Sequence, residues 1–287
     1  MTGRPVHIVV VAYHKPRQLD RCLATIRGGI ATTVVDNSRS AGVCAVAFNR
    51  GAEYIDPGEN LGFGAGVNVA LRRLLDGPPR DVLLLNPDAT LAPPDIERLT
   101  HHLRRPGNEE VAAVSPRLEG PDGDEQRVMW PFPSPARAWA EAFGFGRLPA
   151  RHMFAIGAVL LLRWDALRQV GLFDERFFLY AEEVDWQRRA LALGWRSELC
   201  DGAAASHIGA GTMEDPVLRE ALFYAAHETY IRKWYGRRGW WAYRSAACLG
   251  AAARAAVLRG ERRAQAARRA LLYLRGPHRS ASLVLKA

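Results

Sequence analysis

The chain has 287 residues, 48% of them hydrophobic and 24% charged, which is the composition of an ordinary globular protein with a substantial core. That composition excludes an intrinsically disordered chain, and the longest apolar runs fall short of the roughly 20 residues that cross a membrane as a helix. The formal net charge is +9, but thirteen Lys and Arg residues and one acid, Glu261, lie between Arg232 and Arg279. We therefore expect an anionic partner to bind the basic C-terminal region.

The cysteines are Cys22, Cys44, Cys200 and Cys248. They form no C-x-x-C pair and no close cluster with histidine, so the sequence indicates neither a zinc knuckle nor a disulfide scaffold. The apolar run near the N-terminus is too short for the core of a signal peptide, and His14 and Lys15 follow it at once. We therefore expect one large domain with an appendage, located in the cytoplasm.

The N-terminal part alternates strands and helices. Val6 to Ala12 is a β-branched apolar run, and after Pro16 the apolar residues recur at helical spacings of three and four. The segments "TTVVDNS" and "DVLLLNPDA" are two more buried strands with polar ends, and the second comes after a helix that follows Gly66. This alternation predicts an α/β fold with a mostly parallel sheet covered on both faces.

The rest of the chain divides into three stretches. Pro116 to Arg151 is rich in Pro and Gly and predicts irregular connections with short strands. The segment "FAIGAVLLLRWDAL" predicts a strand followed by a helix. The next segment, "FLYAEEVDWQRRALALGW", predicts a helix with acids near its start. A predicted strand through Ser197 to Cys200 then leads into a polar turn at "ASHIGAGT". Beyond Pro216 the pattern is helical to about Leu274, with a break near Gly236 to Gly239.

Polar residues follow three of the predicted strands. They are Tyr13, Asp36 with Asn37, and Asn86 with Asp88. Ligands of such sheets bind beyond the carboxyl ends of the strands, so these three segments are predicted to meet at one crevice.

The glycine-rich segment "NLGFGAGVN", residues 60–68, resembles a dinucleotide-binding loop but has the wrong spacing. The fingerprint needs G-x-G-x-x-G, whereas Gly66 stands one position early and Val67 occupies the place of the third glycine. Asp88 lies about twenty residues further on, where a ribose-binding acid is expected, but it belongs to "NPD", whose proline stiffens a turn. This pattern indicates a carboxylate held for a cation and disfavours a nicotinamide or flavin enzyme.

Four segments in this order resemble a known family. They are "VVVAYHKPRQLDRCL", "VVDNS", "NLGFGAGVN" with "LLLNPDA", and "GLFDERFFLYAEEVDWQRRALALGW" with "SHIGAGT". Together they resemble the GT-A fold glycosyltransferases of family two, particularly the branch of bacterial rhamnosyltransferases and galactofuranosyltransferases, from about Val6 to Thr212. The resemblance implies transfer of a sugar, with inversion, from a dTDP- or UDP-linked donor to a hydroxyl of a glycan or polyprenyl-linked acceptor.

The resemblance also implies a set of donor-binding residues. Those matching the family's nucleotide-sugar site are Ala12, Tyr13, Asp36, Asn60, Gly64, Asn68, Asn86 and Asp88. "NPD" corresponds to the family's D-x-D motif with Asn86 in place of the first acid, so Asp88 and His207 are the implied ligands of a Mg²⁺ or Mn²⁺ ion. Two alternatives stay open, because Asn68 can face the helix interior and His207 can be a structural histidine.

The acidic run "YAEEVDW" matches the family's E-D-x-D motif. Its second position usually carries the base that accepts the acceptor proton, which implies Glu183, with Glu182 as the second candidate. Asp185 is a third carboxylate, but it stands at i, i+4 to Arg189 and favours a structural ion pair. Without the resemblance, the run would indicate a solvated first helical turn.

From Arg232 onward, cations alternate with Trp and Tyr, a pattern suited to an anionic membrane surface contacted through residues 232–279. Helices with solvated arginines are the alternative, and nucleic acid is not expected because no recognition motif is present. We predict a GT-A catalytic domain over 1–215 and a basic helical extension over 216–287. The expected protein is a metal-dependent rhamnosyltransferase of cell-envelope polysaccharide synthesis, cytoplasmic or peripheral at the inner membrane face, and the alternative is an inactive nucleotide-sugar-binding scaffold.

Overall fold

The structure, a computed structural model, describes residues 4–26, 29–209 and 215–284. The described residues form two compact units. The first, here called the sheet unit, draws on 1–131, 152–178 and 182–212, and the second, the helical unit, draws on 132–151, 179–181 and 213–287. The helical unit therefore includes two short segments that precede the basic extension.

The strands of the described ranges all belong to the sheet unit. They are β1 (Val6–Ala12), β2 (Thr32–Asp36), β3 (Glu53–Ile55), β4 (Asp81–Leu85), β5 (Ala89–Thr90), β6 (Val111–Glu119), β7 (Glu125–Gln126), β8 (Met129–Pro131), β9 (Met153–Ala155), β10 (Val159–Leu162) and β11 (Arg196–His207).

The helices are distributed over both units. Those of the sheet unit are α1 (Pro16–Thr25), α2 (Ala41–Asn49), α3 (Phe63–Leu75), α4 (Pro93–Arg104), α6 (Trp164–Val170) and α7 (Glu182–Ala192). Those of the helical unit are α5 (Pro135–Ala142), α8 (Pro216–Val257), α9 (Gly260–Arg275) and α10 (Pro277–Val284).

Among the described residues, nine strands form one mixed sheet in the order β3-β2-β1-β4-β10-β6-β11-β5, with β7 paired to β6. β2 and β4 pair in parallel with β1, and β11 pairs in parallel with β6. β10 is antiparallel to both β4 and β6, which makes β6 run in the same direction as β4. Six of the nine strands therefore share a direction, and the predicted mostly parallel sheet is confirmed.

The central strands are buried along their whole length. Every residue of β4 and β10 is buried, as are six of the seven residues of β1. Such unbroken apolar runs are typical of strands covered on both faces, and α3 packs on β1 and β2 while α4 packs on β6 and β11. The carboxyl ends of β1, β2 and β4 therefore meet at one edge of a rigid sheet.

Three local predictions are corrected by the structure. Helix α3 begins at Phe63, so Gly64 and Gly66 lie inside it and not in a turn before it. Strand β11 continues from the predicted strand through His207, because pairing with β6 and β5 extends it across the segment predicted to turn. The region predicted to be irregular contains helix α5, whose N-cap Ser134 accepts a hydrogen bond from the Arg137 N–H. The last part of "SHIGAGT", Ala210 to Thr212, lies outside the described residues.

The helical unit consists of one long kinked helix with shorter helices packed on it. Gly236 has a non-helical backbone within α8, which confirms the predicted break. Helices α5, α9 and α10 all pack on α8. An aromatic cluster fills the interior, where Tyr224, Trp240 and Tyr243 surround Tyr273. Within the described ranges, every helix falls short of the length and apolarity needed to cross a membrane.

Candidate active site

The end of β2 is a tightly bonded loop around Asp36. Its Oδ1 accepts hydrogen bonds from the N–H and hydroxyl of Ser38, and its Oδ2 accepts from the Ser40 N–H and the Tyr54 hydroxyl. The carboxylate is fully buried. Asp36 therefore shapes the loop after β2, and its contact with a base or ribose stays a prediction.

The end of β1 presents an aromatic side chain. Tyr13 is 38% exposed and its ring packs edge-on against His14, with ring centroids 4.5 Å apart. Ala12 is buried, and its carbonyl oxygen accepts a hydrogen bond from the Asn37 N–H, which joins the ends of β1 and β2. A planar ring exposed at this edge offers a surface on which a base can stack.

Unusual backbone conformations follow two of the strands and precede one helix. The described non-glycine residues with positive φ are His14, Lys15, Arg39, Tyr180 and Ala181. The first three follow β1 and β2, and the last two immediately precede α7. Such conformations cost about 1–3 kcal/mol each and cluster at functional sites, so they mark the strand ends and the start of α7 as candidate functional positions.

The glycines of "NLGFGAGVN" allow close packing. Gly62 has φ +80°, and a Cβ there would lie 2.0 Å from the Phe178 carbonyl oxygen, which accepts the Phe63 N–H. A Cβ at Gly64 would lie 3.1 Å from the Glu182 Cβ, and one at Gly66 would lie 2.9 Å from Val11. These glycines therefore bring α3 against β1 and against the first residue of α7.

The two asparagines of this segment have local partners. Asn60 is exposed, and its Oδ1 accepts from the Gly62 N–H, which sets the turn before α3. Asn68 is fully buried. Its Nδ2 donates to the Phe173 carbonyl oxygen and to the Glu175 carboxylate, and its Oδ1 accepts a hydrogen bond from the Phe173 N–H. Asn68 thus holds residues 173–175 against α3, and its contact with the donor stays a prediction.

Asp88 and His207 lie together at the end of the sheet. The His207 Nε2 is 3.6 Å from the Asp88 Oδ1, and β11 pairs with β5 at this point, so that His207 is opposite Ala89. Both side chains are largely buried. The separation is longer than a hydrogen bond, whereas two ligands bound at about 2.1 Å to one small divalent cation lie about 3 to 4 Å apart.

Gln126 determines which nitrogen of His207 carries the proton. Its Nε2 donates to the His207 carbonyl oxygen at 2.7 Å, so its Oε1 is the atom 2.9 Å from the His207 Nδ1 and must accept from it. The Nε2 of His207 then presents a lone pair toward Asp88. Burial lowers the pKa of His207, which favours this neutral form, although the Asp88 carboxylate acts in the opposite direction.

The turn between β9 and β10 joins "NPD" to the acidic helix. The Asn86 N–H donates to the Ala158 carbonyl oxygen at 2.9 Å. The neighbouring Gly157 lies against Glu183, since a Cβ built there would be 3.5 Å from the Glu183 Cβ and Cγ. The predicted metal-binding segment and the predicted base therefore contact the same two-residue turn, although they lie almost one hundred residues apart in the chain.

The two glutamates that begin α7 differ in their surroundings. Glu182 is 4% exposed, which contradicts a solvated helical turn, whereas Glu183 is half-buried. The Oε2 atoms of both side chains are buried and have no hydrogen-bond partner among the described residues. Burial, and then the Glu183 carboxylate, raise the pKa of Glu182 well above its ordinary value. Burial also raises the pKa of the half-buried Glu183, but backbone N–H groups, including that of Gly157, oppose this shift. Glu183 is therefore the carboxyl group that ionises first.

Asp185 forms the predicted ion pair. The Arg189 Nε donates to its Oδ2 at 3.0 Å, and the same guanidinium donates to the carbonyl oxygens of Val170 and Leu172. Asp185 is fully buried. This network ties α7 to the last residue of α6 and to the segment after it, which fixes the helix that presents Glu183.

Gln126 and Gly157 are site residues that no motif in the sequence marks. Gln126 lies in a two-residue strand within the stretch predicted to be irregular, and its partner His207 is far along the chain. Gly157 lies in the turn between β9 and β10. The run "FAIGAVLLL" was predicted as one strand, but the structure divides it into β9 and β10 at this turn. The glycine is the signal that could have indicated the turn, although it does not indicate which side chain the glycine contacts.

Comparisons with known proteins agree with this architecture. The family described as "Glycosyl transferase family group 2" matches residues 82–281, so the chain belongs to this family. Over 268 residues, 82% of this chain and 85% of the relative, it is 30% identical to an N-acetylglucosaminyl-diphospho-decaprenol L-rhamnosyltransferase of Mycobacterium tuberculosis. It is also 28% identical, over 64% of this chain and 60% of the relative, to the low-salt glycan biosynthesis hexosyltransferase Agl10 of Haloferax volcanii.

Solved structures show the same fold. The mannosyltransferase PcManGT from Pyrobaculum calidifontis, in complex with GDP-Man and Mn²⁺, has a TM-score of 0.56 and 18% identity, covering 99% of this chain and 86% of that one. The glucosyl-3-phosphoglycerate synthase of Mycobacterium tuberculosis has a TM-score of 0.51 and 16% identity, covering 80% of each chain. The protein has the GT-A fold and is a glycosyltransferase, which confirms the predicted fold class and reaction class.

Proposed function

We propose that the protein is an inverting, metal-dependent transferase that moves rhamnose from a dTDP-linked donor to a sugar hydroxyl of a polyprenyl-diphosphate-linked glycan. The observation that carries this proposal is the 30% identity, over most of both chains, to a protein named as a diphospho-decaprenol L-rhamnosyltransferase. Such a reaction builds cell-envelope polysaccharide.

The donor end of the site consists of the strand ends and the pair Asp88 and His207. The oxygen and imidazole donors suit Mg²⁺ or Mn²⁺, and their 3.6 Å separation fits two ligands of one ion. In the described ranges no third His, Cys, Asp or Glu joins a metal-binding group with them. In the proposed complex, oxygens of the donor diphosphate would complete the coordination. When bound, the cation neutralises the charge that develops on the departing diphosphate.

Glu183 is the proposed base. Glu183 is half-buried, whereas Glu182 packs against Gly64 and is buried. Burial raises the pKa of Glu182 well above its ordinary value, so Glu182 stays protonated to higher pH. The acceptor hydroxyl transfers its proton to the Glu183 carboxylate as its oxygen attacks the anomeric carbon and the bond to the diphosphate breaks. A raised pKa makes Glu183 a stronger base, and the rate then rises with pH as this group ionises.

The proposed acceptor has a lipid tail, so the enzyme works at a membrane surface. The helical unit holds the strongly basic stretch from Arg232 to Arg279. Each Lys or Arg near an anionic surface contributes about 1 kcal/mol of attraction. Peripheral association with the cytoplasmic membrane face is therefore part of the proposal.

A thermal-shift panel of nucleoside diphosphate sugars, with and without Mn²⁺, tests the donor. dTDP-rhamnose with Mn²⁺ should raise the melting temperature more than UDP-, GDP- or ADP-linked sugars, because a ligand stabilises the state it binds. The variant Asp88→Ala should lose the Mn²⁺-dependent part of that shift. A larger shift with another donor would overturn the choice of rhamnose, and donor binding with no transfer to any lipid-linked glycan would favour the scaffold alternative.

A further inference from the structure

The segment after α5 exposes three apolar side chains within six residues. Phe143, Phe145 and Leu148 are 70%, 62% and 55% exposed. We call residues 143–148 the apolar loop. Within the helical unit this loop presents two phenylalanines and a leucine to solvent, a group that a water-facing loop of a soluble protein has no reason to expose together.

The apolar loop is held in one conformation. The Arg137 guanidinium donates to the carbonyl oxygens of Gly146 and Leu148, each at 3.1 Å. The Phe145 N–H donates to the Ala140 carbonyl oxygen at 2.7 Å, and the Phe143 N–H closes the last turn of α5. The side chains are therefore exposed by an ordered backbone, and little conformational entropy is lost when they enter another phase.

Several cations lie near the loop within the same unit, and one acid, Glu141, packs against Gly146 and lies 3.9 Å from Arg137. Arg147 lies in the loop and Arg151 follows it, and both are exposed. Helix α8 meets the end of α5 at Gly250, where a Cβ would lie 3.1 Å from the Ala142 Cα and 3.4 Å from the Arg254 Nη2. Arg254 is thus beside the residue that precedes the apolar loop.

We propose that the apolar loop inserts into an anionic lipid bilayer while the surrounding arginines contact the headgroups. Apolar side chains rimmed by cations are the pattern of interfacial membrane contacts. A second copy of this chain is a poorer occupant, because it would bring the same positive charge to the contact. This inference rests on the proposed peripheral association and adds to it the element that enters the membrane.

Insertion and charge attraction respond differently to salt. At about 1 M salt the screening length falls to about 3 Å, which removes most of the attraction between surface charges but not the burial of apolar side chains. The full-length wild type should therefore keep part of its binding at high salt, and the double variant F143S/F145S should lose that part.

Flotation with vesicles of phosphatidylcholine and phosphatidylglycerol tests this expectation. At low salt F143S/F145S should bind at least about tenfold more weakly than the wild type, because two exposed rings no longer leave water. Phe48→Ser is the matched control, since Phe48 is 69% exposed in the sheet unit, and it should bind like the wild type. The donor-induced thermal shift of all three proteins should be equal, which shows that the double variant is folded.

Depth quenching gives a second readout. In vesicles with brominated acyl chains, Phe145→Trp should add quenchable fluorescence to the native tryptophan signal, and Phe48→Trp should not. Equal flotation of wild type and double variant at both salt concentrations would overturn the role of the loop but not peripheral association. Failure of the wild type to float would overturn both the role of the loop and peripheral association, but it would leave the result of the donor panel unaffected. A change in the oligomeric state of the double variant in the absence of vesicles would instead indicate that the loop contacts a second copy of this chain.

Discussion

Glu182 and Glu183 are neighbours in sequence, yet Glu183 is the more exposed of the two. Glu182 is buried under Gly64, and Glu183 is half-buried beside Gly157. A general base must reach the hydroxyl whose proton it accepts, and the greater exposure of Glu183 is the reason for proposing it as the base.

The variant Glu183→Gln should lower kcat by about 10²- to 10⁴-fold, the usual contribution of a positioned base, and leave donor affinity nearly unchanged. Steady-state kinetics and donor titration measure the two effects. Glu182→Gln is the matched neighbour and should lose much less activity. If the two variants lose activity equally, the assignment of the base to Glu183 fails.

Glu182 also predicts how stability depends on pH. Its pKa is raised in the folded state by burial, so the stability it contributes is present below the pKa of the unfolded chain, about 4.3, and is lost as pH rises toward the folded pKa. Glu182→Gln cannot ionise and should melt at a higher temperature than the wild type at pH 8. Near pH 4 the two melting temperatures should converge, and a constant difference across this range would contradict the raised pKa.

Gln126 is expected to act on the metal through His207. Gln126→Leu removes the acceptor of the Nδ1 proton and should weaken Mn²⁺ binding, measured with donor present, by about 10- to 100-fold. Gln126→Glu keeps an acceptor at this position and should retain most of the affinity. Unchanged Mn²⁺ affinity in Gln126→Leu would show that this side chain does not orient the histidine.

At the scale of elements, α3 is positioned by a backbone contact that only glycine allows. Gly62→Ala adds both the strain of positive φ and a Cβ 2.0 Å from the Phe178 carbonyl oxygen. Gly58 also has positive φ but nothing within 4 Å of its Cβ, so Gly58→Ala measures the strain alone. In chemical denaturation, Gly58→Ala should lower the free energy of unfolding by about 1 kcal/mol, and Gly62→Ala should lower it clearly more. Equal losses would mean that the α3 contact is not tight.

The elements that periodicity predicted best are the buried strands. The apolar run Val6 to Ala12 coincides with β1, and "DVLLL" coincides with β4, because continuous burial on two faces leaves a pattern that local sequence records. The start of α3 was predicted too late, since Gly64 and Gly66 weaken a helix in isolation and are retained for close packing. Strand β11 was cut short because its last residues are strand only through pairing with β6 and β5.

At the scale of the whole molecule, the basic extension shares a compact unit with an earlier segment. Helix α5 packs on α8, and Ala138 of α5 is buried. A chain cut at the predicted boundary, residues 1–215, would leave the apolar face of α5 without α8.

We expect the 1–215 fragment to aggregate or to melt well below the full chain, because that face would be exposed to water. A chain of residues 1–276 lacks only α10, keeps the contact between α5 and α8, and is the matched control that should remain folded. The solubility and the thermal unfolding of the full chain, the 1–215 fragment and the 1–276 fragment are to be compared. A 1–215 fragment as stable as the full chain would support the predicted boundary at 215 and 216.

The candidate site shows how far a single sequence leads. Asp88, His207 and Glu183 were identified by their place in ordered motifs, and the pair Asp185 and Arg189 by helical spacing. The ion pair is seen in the structure, whereas the roles of Asp88, His207 and Glu183 in metal binding and catalysis stay predictions. The local roles of Asp36 and Asn68 were not decided at that level, since their partners are set by loops that close around them.

The sequence alone determined the α/β class, the reaction class and the basic character of the C-terminal region, because composition, periodicity and short motifs depend on neighbours along the chain. Only the tertiary structure decided that Gln126 orients His207, that Gly157 lies against Glu183, and that α5 belongs with α8. Each of these joins residues distant in the chain. Such contacts exist only after the sheet and helices have packed, so no local pattern can record them.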